Sequence, residues 1–320
     1  MVAHNAEFDR TFTTRHPSGY PLLDNIWIDS LDLARIALPR MRSHRLIDLV
    51  KAFGAPTSTH RADDDVAATC ALFRILLAAV NEMPPALVKC IALLAPVEQW
   101  NTAVVFQHFA QPEAKPFSLK ELRHESMTSY ERRPRIDAKM IQTMEYPTAE
   151  DIAQAFSPTG IVGKIYDDFD PREEQLTMAQ EVRAALEASE NLIVEAGTGV
   201  GKSMAYLVPA VLMAKKNNIA IGVATKTNAL LDQLVYHELP ALAQSLGDIT
   251  YAPLKGFSHY PCLRKVNRFV KEGVKMVDVQ GTEHSQAPSL GALLSFIDQT
   301  DYDDMDSLKM DYRVVPRRAV

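Results

Sequence analysis

The sequence predicts an α/β protein, because its second half contains two strand–turn–helix units. In the first unit, the apolar run 191–194 leads through a glycine-rich turn into a helical stretch over residues 203–215. In the second, the β-branched run 219–224 leads into another helical stretch. Continuous apolar runs of this kind are typical of strands buried in a parallel sheet. Weaker strand and helix signals over residues 1–83 indicate a further α/β unit there.

The glycine-rich turn, residues 195–203, reads Glu-Ala-Gly-Thr-Gly-Val-Gly-Lys-Ser. Glycines let backbone N–H groups point at a phosphate, and the N-terminus of the next helix adds its positive dipole end. The lysine would reach the β/γ-phosphates and the serine would coordinate Mg²⁺. A chance glycine-rich turn before a core helix is the alternative. The predicted nucleotide-binding residues, with ATP and Mg²⁺ as cofactors, are Gly197, Thr198, Gly199, Val200, Gly201, Lys202 and Ser203.

The turn after the second strand is Thr225-Lys226-Thr227. In a parallel sheet this turn lies at the carboxyl edge, where ligands bind. The two hydroxyls, the ammonium and the helix N-terminus could hold a nucleic-acid phosphate. A crossover helix capped by a threonine is the alternative.

Composition excludes several classes of protein. With 320 residues, 47% hydrophobic and 23% charged, the chain has room for two globular domains. A net charge of −6 argues against a surface that coats nucleic acid everywhere, although residues 264–271 carry four basic side chains. No apolar stretch approaches the roughly 20 residues of a membrane span. Three scattered cysteines favour a reducing cytoplasm.

Residues 1–83 contain two short motifs that combine histidine with aspartate. The first runs from His4 to Asp9, and the second runs from His60 to Asp65 before a long apolar helix that ends near Met83. If His60 lies in the loop that enters this helix, it faces the same cleft as Asp65. Two-metal phosphodiester hydrolysis needs carboxylates for the ions and a histidine for the attacking water. An acidic helix N-terminus beside a surface histidine is the alternative.

Together, His-Asn-Ala-x-Phe-Asp and His-x-Ala-x-x-Asp resemble the second and third motifs of the DnaQ-like DEDDh 3′–5′ exonucleases. The resemblance implies a ribonuclease H-like fold, with Asp9 and Asp65 as ligands of Mg²⁺ or Mn²⁺ and His60 as the general base. The first motif of that family, Asp-x-Glu, occurs nowhere in the chain. We therefore expect this chain by itself to be a poor or inactive exonuclease.

Residues 84–169 show only weak patterns of secondary structure and contain several prolines, which predicts a linker with short helices. A helix then begins near Asp170 and runs to about Ala188, with Pro171 suited to its first turn. Gln175 on this helix could read adenine, since an amide both donates and accepts. A surface helix residue is the alternative.

Three segments resemble, in chain order, the Q-like motif, motif I and motif Ia of superfamily 2 helicases. They are Arg-x-x-Gln at 172–175, the glycine-rich turn, and Ala-Thr-Lys-Thr-x-x-Leu-x-x-Gln-Leu at 224–234. Lys-Gly-Phe-Ser-His-Tyr-Pro-Cys at 255–262 narrows the resemblance to DinG and its XPD-type relatives. The resemblance implies that Arg172 and Gln175 bind nucleotide. It also implies that Cys262 is the first ligand of a 4Fe-4S cluster. Motif II, Asp-Glu-x-His, is absent from the chain.

The combined interpretation is a partial ribonuclease H-like exonuclease domain at 1–83, a helical linker at 84–169, and the front part of a RecA-like P-loop domain at 170–320. An iron–sulfur insertion would start near 255–320. The predicted function is an ATP-dependent DNA helicase of the DinG type, fused to an exonuclease-like domain and acting in DNA repair or replication. This chain would be an internal or truncated portion of that protein.

Two functional alternatives stay open within this interpretation. One is a 3′–5′ exonuclease with a regulatory ATP-binding half. The other is a non-catalytic fragment that binds nucleotide or nucleic acid. A small-molecule kinase would share the phosphate loop, but it explains neither the exonuclease motifs nor motif Ia.

Overall fold

The computed structural model describes residues 1–55, 61–121, 143–166, 169–197, 199–247, 249–299 and 304–320. These residues form two compact units. Unit 1 comprises Met1–Glu131 and Gly256–Val320, and unit 2 comprises Arg132–Lys255. This division differs from the predicted boundaries at residues 83 and 169, which stay predictions.

Unit 1 begins with two short β–α pairs that share Asp29. Strand β1 (Val2–Ala3) precedes α1 (Ala6–Thr13), and the parallel strand β2 (Ile28–Asp29) precedes α2 (Ser30–Ala37). The carboxylate of Asp29 accepts backbone N–H bonds at 3.0 and 3.2 Å from the start of α1, and at 2.8 Å from the start of α2. One carboxylate therefore satisfies amides that both helices would otherwise leave free.

The core of unit 1 is helical. Helix α4 (Ala62–Glu82) buries Ala68, Leu72, Leu76 and Val80, which recur every fourth residue and so share one face. The helix predicted to end near Met83 is confirmed. The helices that follow α2 in this part of the unit are α3 (Leu46–Ala52), α4 (Ala62–Glu82), α5 (Pro85–Ala92) and α6 (Ala103–Phe109).

The C-terminal part of unit 1 contains a buried helix that we did not predict. After α12 (Leu263–Glu272) and the antiparallel strands β3 (Met276–Val279) and β4 (Thr282–Ser285), the chain forms α13 (Ala287–Gln299). A Cβ on its Gly291 would lie 3.1 Å from the Cδ1 atom of Ile36 on α2. Nine of its residues are buried, and a helix that is apolar on all sides must be enclosed. Residues from Gly256 onward therefore belong to unit 1 in the structure.

Unit 2 is helical in the residues that the structure describes. Its core joins α8 (Glu173–Ala188), α9 (Lys202–Asn217) and the helical stretch after residue 227. The predicted helix over 203–215 and the helix that ends near 188 are confirmed. The elements of unit 2 are α7 (Ala149–Ala155), α8 (Glu173–Ala188), α9 (Lys202–Asn217), α10 (Asn228–Gln233), a π-helical turn (Leu234–Glu238) and α11 (Leu239–Leu246).

The two strands predicted in unit 2 are not formed in the structure. Residues 191–194 and 219–224 are irregular, and the side chain of Ile193 is 97% exposed. A strand persists only when its backbone groups pair with a neighbour, and neither segment has such a neighbour among the described residues of unit 2. The RecA-like sheet therefore stays a prediction.

Among the described residues, no single helix is long and apolar enough to cross a membrane. Helices α4 and α5 pass that test only as a pair, by length and composition, and they are bent by 114°.

Candidate functional site

The phosphate loop has the backbone conformation that its glycines predict. Gly199 and Gly201 have φ angles of 85° and 80°, in the left-handed region that favours glycine. Gly201 is the N-cap residue of α9, which begins at Lys202. The loop thus ends at a helix N-terminus, where free amides favour an anion. Thr198, one of the predicted loop residues, lies outside the described residues.

Lys202 bonds to the loop that precedes it. Its ammonium donates to the carbonyl oxygen of Ala196 at 2.8 Å and to that of Gly197 at 2.7 Å. A Cβ placed on Gly197 would meet no atom within 4 Å, so the loop is open on that side. The ammonium is therefore held at the loop by neutral carbonyl oxygens, which an anionic oxygen could replace.

Two side chains of the predicted Q-like motif fasten the helix α8 to the same loop. Arg172 Nη1 donates to the carbonyl oxygen of Gly199. Gln175 Nε2 donates to the carbonyl oxygen of Gly201 at 2.8 Å. Gln175 is only 6% exposed, which rules out the alternative of a surface helix residue. Its amide nitrogen is bonded to the loop, and its predicted contact with adenine stays untested.

A cavity of about 320 Å³ lies beside the loop. The rings of Tyr166 and Phe169 form part of its wall, with centroids 6.5 Å apart and planes inclined by 23°. Neither residue was predicted from the sequence, although the aromatic Phe169 shortly before Arg172 was a readable signal. The cavity is lined by Tyr166, Phe169, Asp170, Arg172, Gln175, Gly199, Val200 and Gly201.

Ser203 and Tyr206 lie on the first turns of α9. A hydrogen bond between the two side chains lowers the pKa of the tyrosine, whereas burial, the largest effect, raises it, and the charge of Glu238 adds to the rise. Ser203 is half-buried at the start of the helix, where the P-loop arrangement requires a metal-coordinating hydroxyl. The structure thus places a hydroxyl pair directly after the phosphate loop.

The predicted nucleic-acid loop is held by its own threonines. Thr227 Oγ1 accepts the N–H of Leu230 at 3.3 Å and so caps α10, and Thr225 Oγ1 donates to the carbonyl oxygen of Thr227 at 3.2 Å. Lys226, between them, is exposed. The capping alternative is confirmed for Thr227, while a phosphate contact by Lys226 is compatible with it and stays a prediction.

In unit 1, the first histidine motif is fixed by two hydrogen bonds. His4 Nδ1 pairs with Ser30 Oγ at 3.0 Å, and His4 Nε2 pairs with the carbonyl oxygen of His44 at 2.9 Å. Burial lowers the pKa of His4. Asp9 lies on α1, and burial raises the pKa of its carboxyl group, with the charge of Asp29 adding to the rise. The motif therefore sits in a partly desolvated acidic environment.

The described residues do not test the predicted two-metal site as a whole. Asp65 lies on the first turn of α4 and is half-buried, whereas His60 lies outside the described residues. No group of three or more His, Cys, Asp or Glu side chains suited to a metal ion occurs in the part of the chain that the structure describes. The metal-binding roles of Asp9 and Asp65 stay predictions.

Cys262 is the N-cap residue of α12, and its backbone N–H donates to the carbonyl oxygen of Val320 at 3.3 Å. It is the only cysteine after residue 90. An iron–sulfur cluster needs four cysteine thiolates or their equivalents, of which this stretch supplies one. The role of Cys262 as a cluster ligand therefore stays a prediction.

Comparisons with known proteins agree with both sets of motifs. Residues 1–73 match the family model described as Exonuclease. Over 97% of its length the chain is 27% identical to the 3′-5′ exonuclease DinG of Bacillus subtilis (strain 168). It is 25% identical, over the same share, to the 3′-5′ exonuclease DinG of Staphylococcus aureus (strain bovine RF122 / ET3-1). The chain is thus similar over almost its whole length to proteins named DinG.

The similarity to the DinG relatives extends over both units, although the chain spans only about a third of their length. A second kind of relative matches a shorter stretch. Over 126 residues, 38% of this chain and 19% of the relative, it is 40% identical to the ATP-dependent DNA helicase YoaA of Haemophilus influenzae. No solved structure matches the chain.

Proposed function

We propose that this chain is a DinG-type protein and that it binds ATP and Mg²⁺ as part of an ATP-dependent DNA helicase that carries an exonuclease-like domain, with a role in DNA repair or replication. One observation carries the proposal. Left-handed glycines, the Lys202 ammonium and the N-terminus of α9 converge beside a cavity of about 320 Å³. This combination of donors suits a nucleoside triphosphate.

Phosphate binding would replace contacts that the loop already makes. The Lys202 ammonium would exchange the carbonyl oxygens of Ala196 and Gly197 for phosphate oxygens, which bear a full charge and form stronger hydrogen bonds. Mg²⁺, when bound, neutralises phosphate charge, and the hydroxyl of Ser203 is the group of this chain that would hold it. The aromatic pair Tyr166 and Phe169 in the cavity wall offers flat apolar faces for a base.

ATP hydrolysis needs more than this site. The carboxylates that hold Mg²⁺ and orient the attacking water come from Asp-Glu-x-His in helicases of this kind, and that motif does not occur in the chain. The activity that we propose for these 320 residues is therefore binding of nucleotide at the phosphate loop and of single-stranded DNA at Lys226.

A direct test is equilibrium titration with a fluorescent ATP analogue in the presence of Mg²⁺. Lys202→Met should weaken binding by roughly tenfold or more, since charge-assisted hydrogen bonds contribute about 1.5–3 kcal/mol. Lys215→Met is the matched control, because Lys215 also donates to two carbonyl oxygens, those of Leu246 and Gly247, at the far end of the same helix. Equal affinities for Lys202→Met and the wild type would refute the proposal.

A second candidate function, metal-dependent nuclease activity of unit 1, is favoured by the match of residues 1–73 to the Exonuclease family. The test is degradation of a 3′-labelled single strand in Mn²⁺. Degradation that is lost in Asp65→Ala would support this function and would overturn our expectation that the chain is inactive. No degradation by the wild-type chain would leave nucleotide and DNA binding as its function.

A further inference from the structure

The carboxylate of Glu238 contacts two side chains of unit 2, Gln233 on α10 and Tyr166 in the cavity wall. Glu238 ends the π-helical turn Leu234–Glu238, which follows α10. One of its oxygens, Oε1, accepts the side-chain amide of Gln233, the last residue of α10, at 2.9 Å. Single π-helical turns inside longer helical stretches are frequent at functional sites. Through Gln233, the carboxylate is therefore hydrogen-bonded to α10, the helix that directly follows the Thr225–Lys226–Thr227 loop.

The other oxygen of the same carboxylate contacts a residue of the cavity wall. Tyr166 donates its hydroxyl to Glu238 Oε2 at 3.4 Å, and the Tyr166 ring lines the cavity together with Phe169. The phenol is 43% exposed, so water competes with this long hydrogen bond. Its contribution to the position of the ring is therefore modest, and it can be broken by a small movement of either partner.

We propose that Glu238 is a positioning residue that couples DNA binding at the Lys226 loop to nucleotide binding in the cavity. A DNA phosphate at the loop would shift α10 and, through Gln233, the carboxylate that holds Tyr166. The nucleotide would order Tyr166 and so favour the same position of Glu238. This inference rests on the proposed function, since it needs both ligands to bind.

Coupling of this kind is reciprocal: each ligand tightens the other by the same factor. We measure the affinity of the whole chain for a fluorescent ATP analogue with Mg²⁺, without and with saturating oligothymidylate, and then the reverse titration. The wild type should show coupling of roughly fivefold, at the low end of the usual range because the Tyr166 bond is long and exposed.

Glu238→Gln removes one of the two acceptors, because an amide offers a single oxygen. The coupling factor should fall to about one, which means that neither ligand affects the affinity for the other. The affinity for each ligand measured alone should stay within about twofold of the wild-type value. Tyr166→Phe, which keeps the ring and deletes the hydroxyl, should lose the coupling too, and the double variant should lose no more than either single variant. Glu181→Gln, an exposed glutamate on α8, is the matched control and should retain wild-type coupling.

The outcomes separate the two proposals. Wild-type coupling that persists in Glu238→Gln would overturn the inference, and so would independent binding of both ligands to the wild type, with the proposed function left intact. A wild-type chain that binds no nucleotide would overturn the proposed function and the inference with it.

Discussion

The side-chain amide of Gln175 donates to the carbonyl oxygen of Gly201 at 2.8 Å, and a Cβ on Gly201 would lie 2.1 Å from that same nitrogen. The close approach and the φ of 80° at Gly201 both require glycine at this position. Because Gln175 belongs to α8 and Gly201 caps α9, this contact joins the two helices at the end of the phosphate loop.

Substitution of this glycine should loosen the contact. Gly201→Ala combines an unfavourable left-handed backbone with a steric clash, which we expect to destabilise the start of α9 by roughly 1–3 kcal/mol. Hydrogen exchange of the α9 amides measures the loss. Gly197→Ala is the matched control, because nothing lies within 4 Å of its Cβ position and its φ is not positive. Equal protection in both variants would contradict the argument.

Gln175→Ala tests which part of the cost is steric. Combined with Gly201→Ala, it removes the clash and leaves only the backbone cost. The double variant should therefore be less destabilised than the sum of the two single variants. Strict additivity would show that the two residues do not interact.

Asp32 should make the stability of unit 1 depend on pH. Burial, and next the charge of Asp29, raise the pKa of its carboxyl group to about 7. A raised pKa means that the folded state binds the proton more tightly than the unfolded state. The stability is therefore full below about pH 4 and falls as the pH rises through 7. Asp32→Asn should remove this dependence.

The measurement is urea unfolding followed by tryptophan fluorescence, since both tryptophans, Trp27 and Trp100, lie in unit 1. The free energy of unfolding of Asp32→Asn should equal that of the wild type near pH 4 and exceed it by about 1–2 kcal/mol at pH 8. This difference is smaller than the pKa shift alone implies, because 21% of the Asp32 side chain is exposed to solvent. Asp24→Asn, at an exposed position, should show no such trend. A difference for Asp32→Asn that is constant with pH would disprove the assignment.

The capping box of α7 predicts the opposite pH dependence in unit 2. The carboxylate of Asp151 accepts the N–H of Thr148 at 2.9 Å, and Thr148 Oγ1 accepts the N–H of Asp151 at 3.0 Å. The backbone bond from Thr148 lowers the pKa of Asp151. Asp151→Ala should cost about 0.5–1 kcal/mol at neutral pH, and the cost should disappear as the pH falls below 4. Hydrogen exchange of the α7 amides checks this, with Glu150→Ala as the control.

The sequence predicted the phosphate loop well because its geometry is local. Left-handed glycines and a helix N-terminus follow from nine consecutive residues, 195–203, and the structure places them accordingly. Arg172 and Gln175 were proposed from the resemblance to the Q-like motif. Tyr166 and Glu238 were missed, because their contact spans 72 positions along the chain and no periodicity records it.

Errors arose where structure depends on distant partners. The apolar run 219–224 reads as a strand, yet a strand needs a neighbour that the run itself does not specify. Helix α13 was overlooked because the polar residues 275–286 before it and the acidic run after it dominated the composition. Its place in unit 1 depends on the close contact between Gly291 and Ile36, which lies beyond any local pattern.

The salt dependence of DNA binding tests the role of Lys226. Each lysine that neutralises a phosphate of a single strand contributes about 0.7 to the slope of log affinity against log salt. Lys226→Ala should therefore reduce that slope by about 0.7 and weaken binding similarly for different sequences, since a phosphate contact carries no sequence information. Titrations of a labelled oligothymidylate and of a mixed-sequence strand at several salt concentrations give both quantities. Lys164→Ala removes the same charge from another exposed position of unit 2 and should leave the slope unchanged. An equal reduction in both variants would mean that general charge attracts the strand, and that the loop before α10 is not a phosphate site.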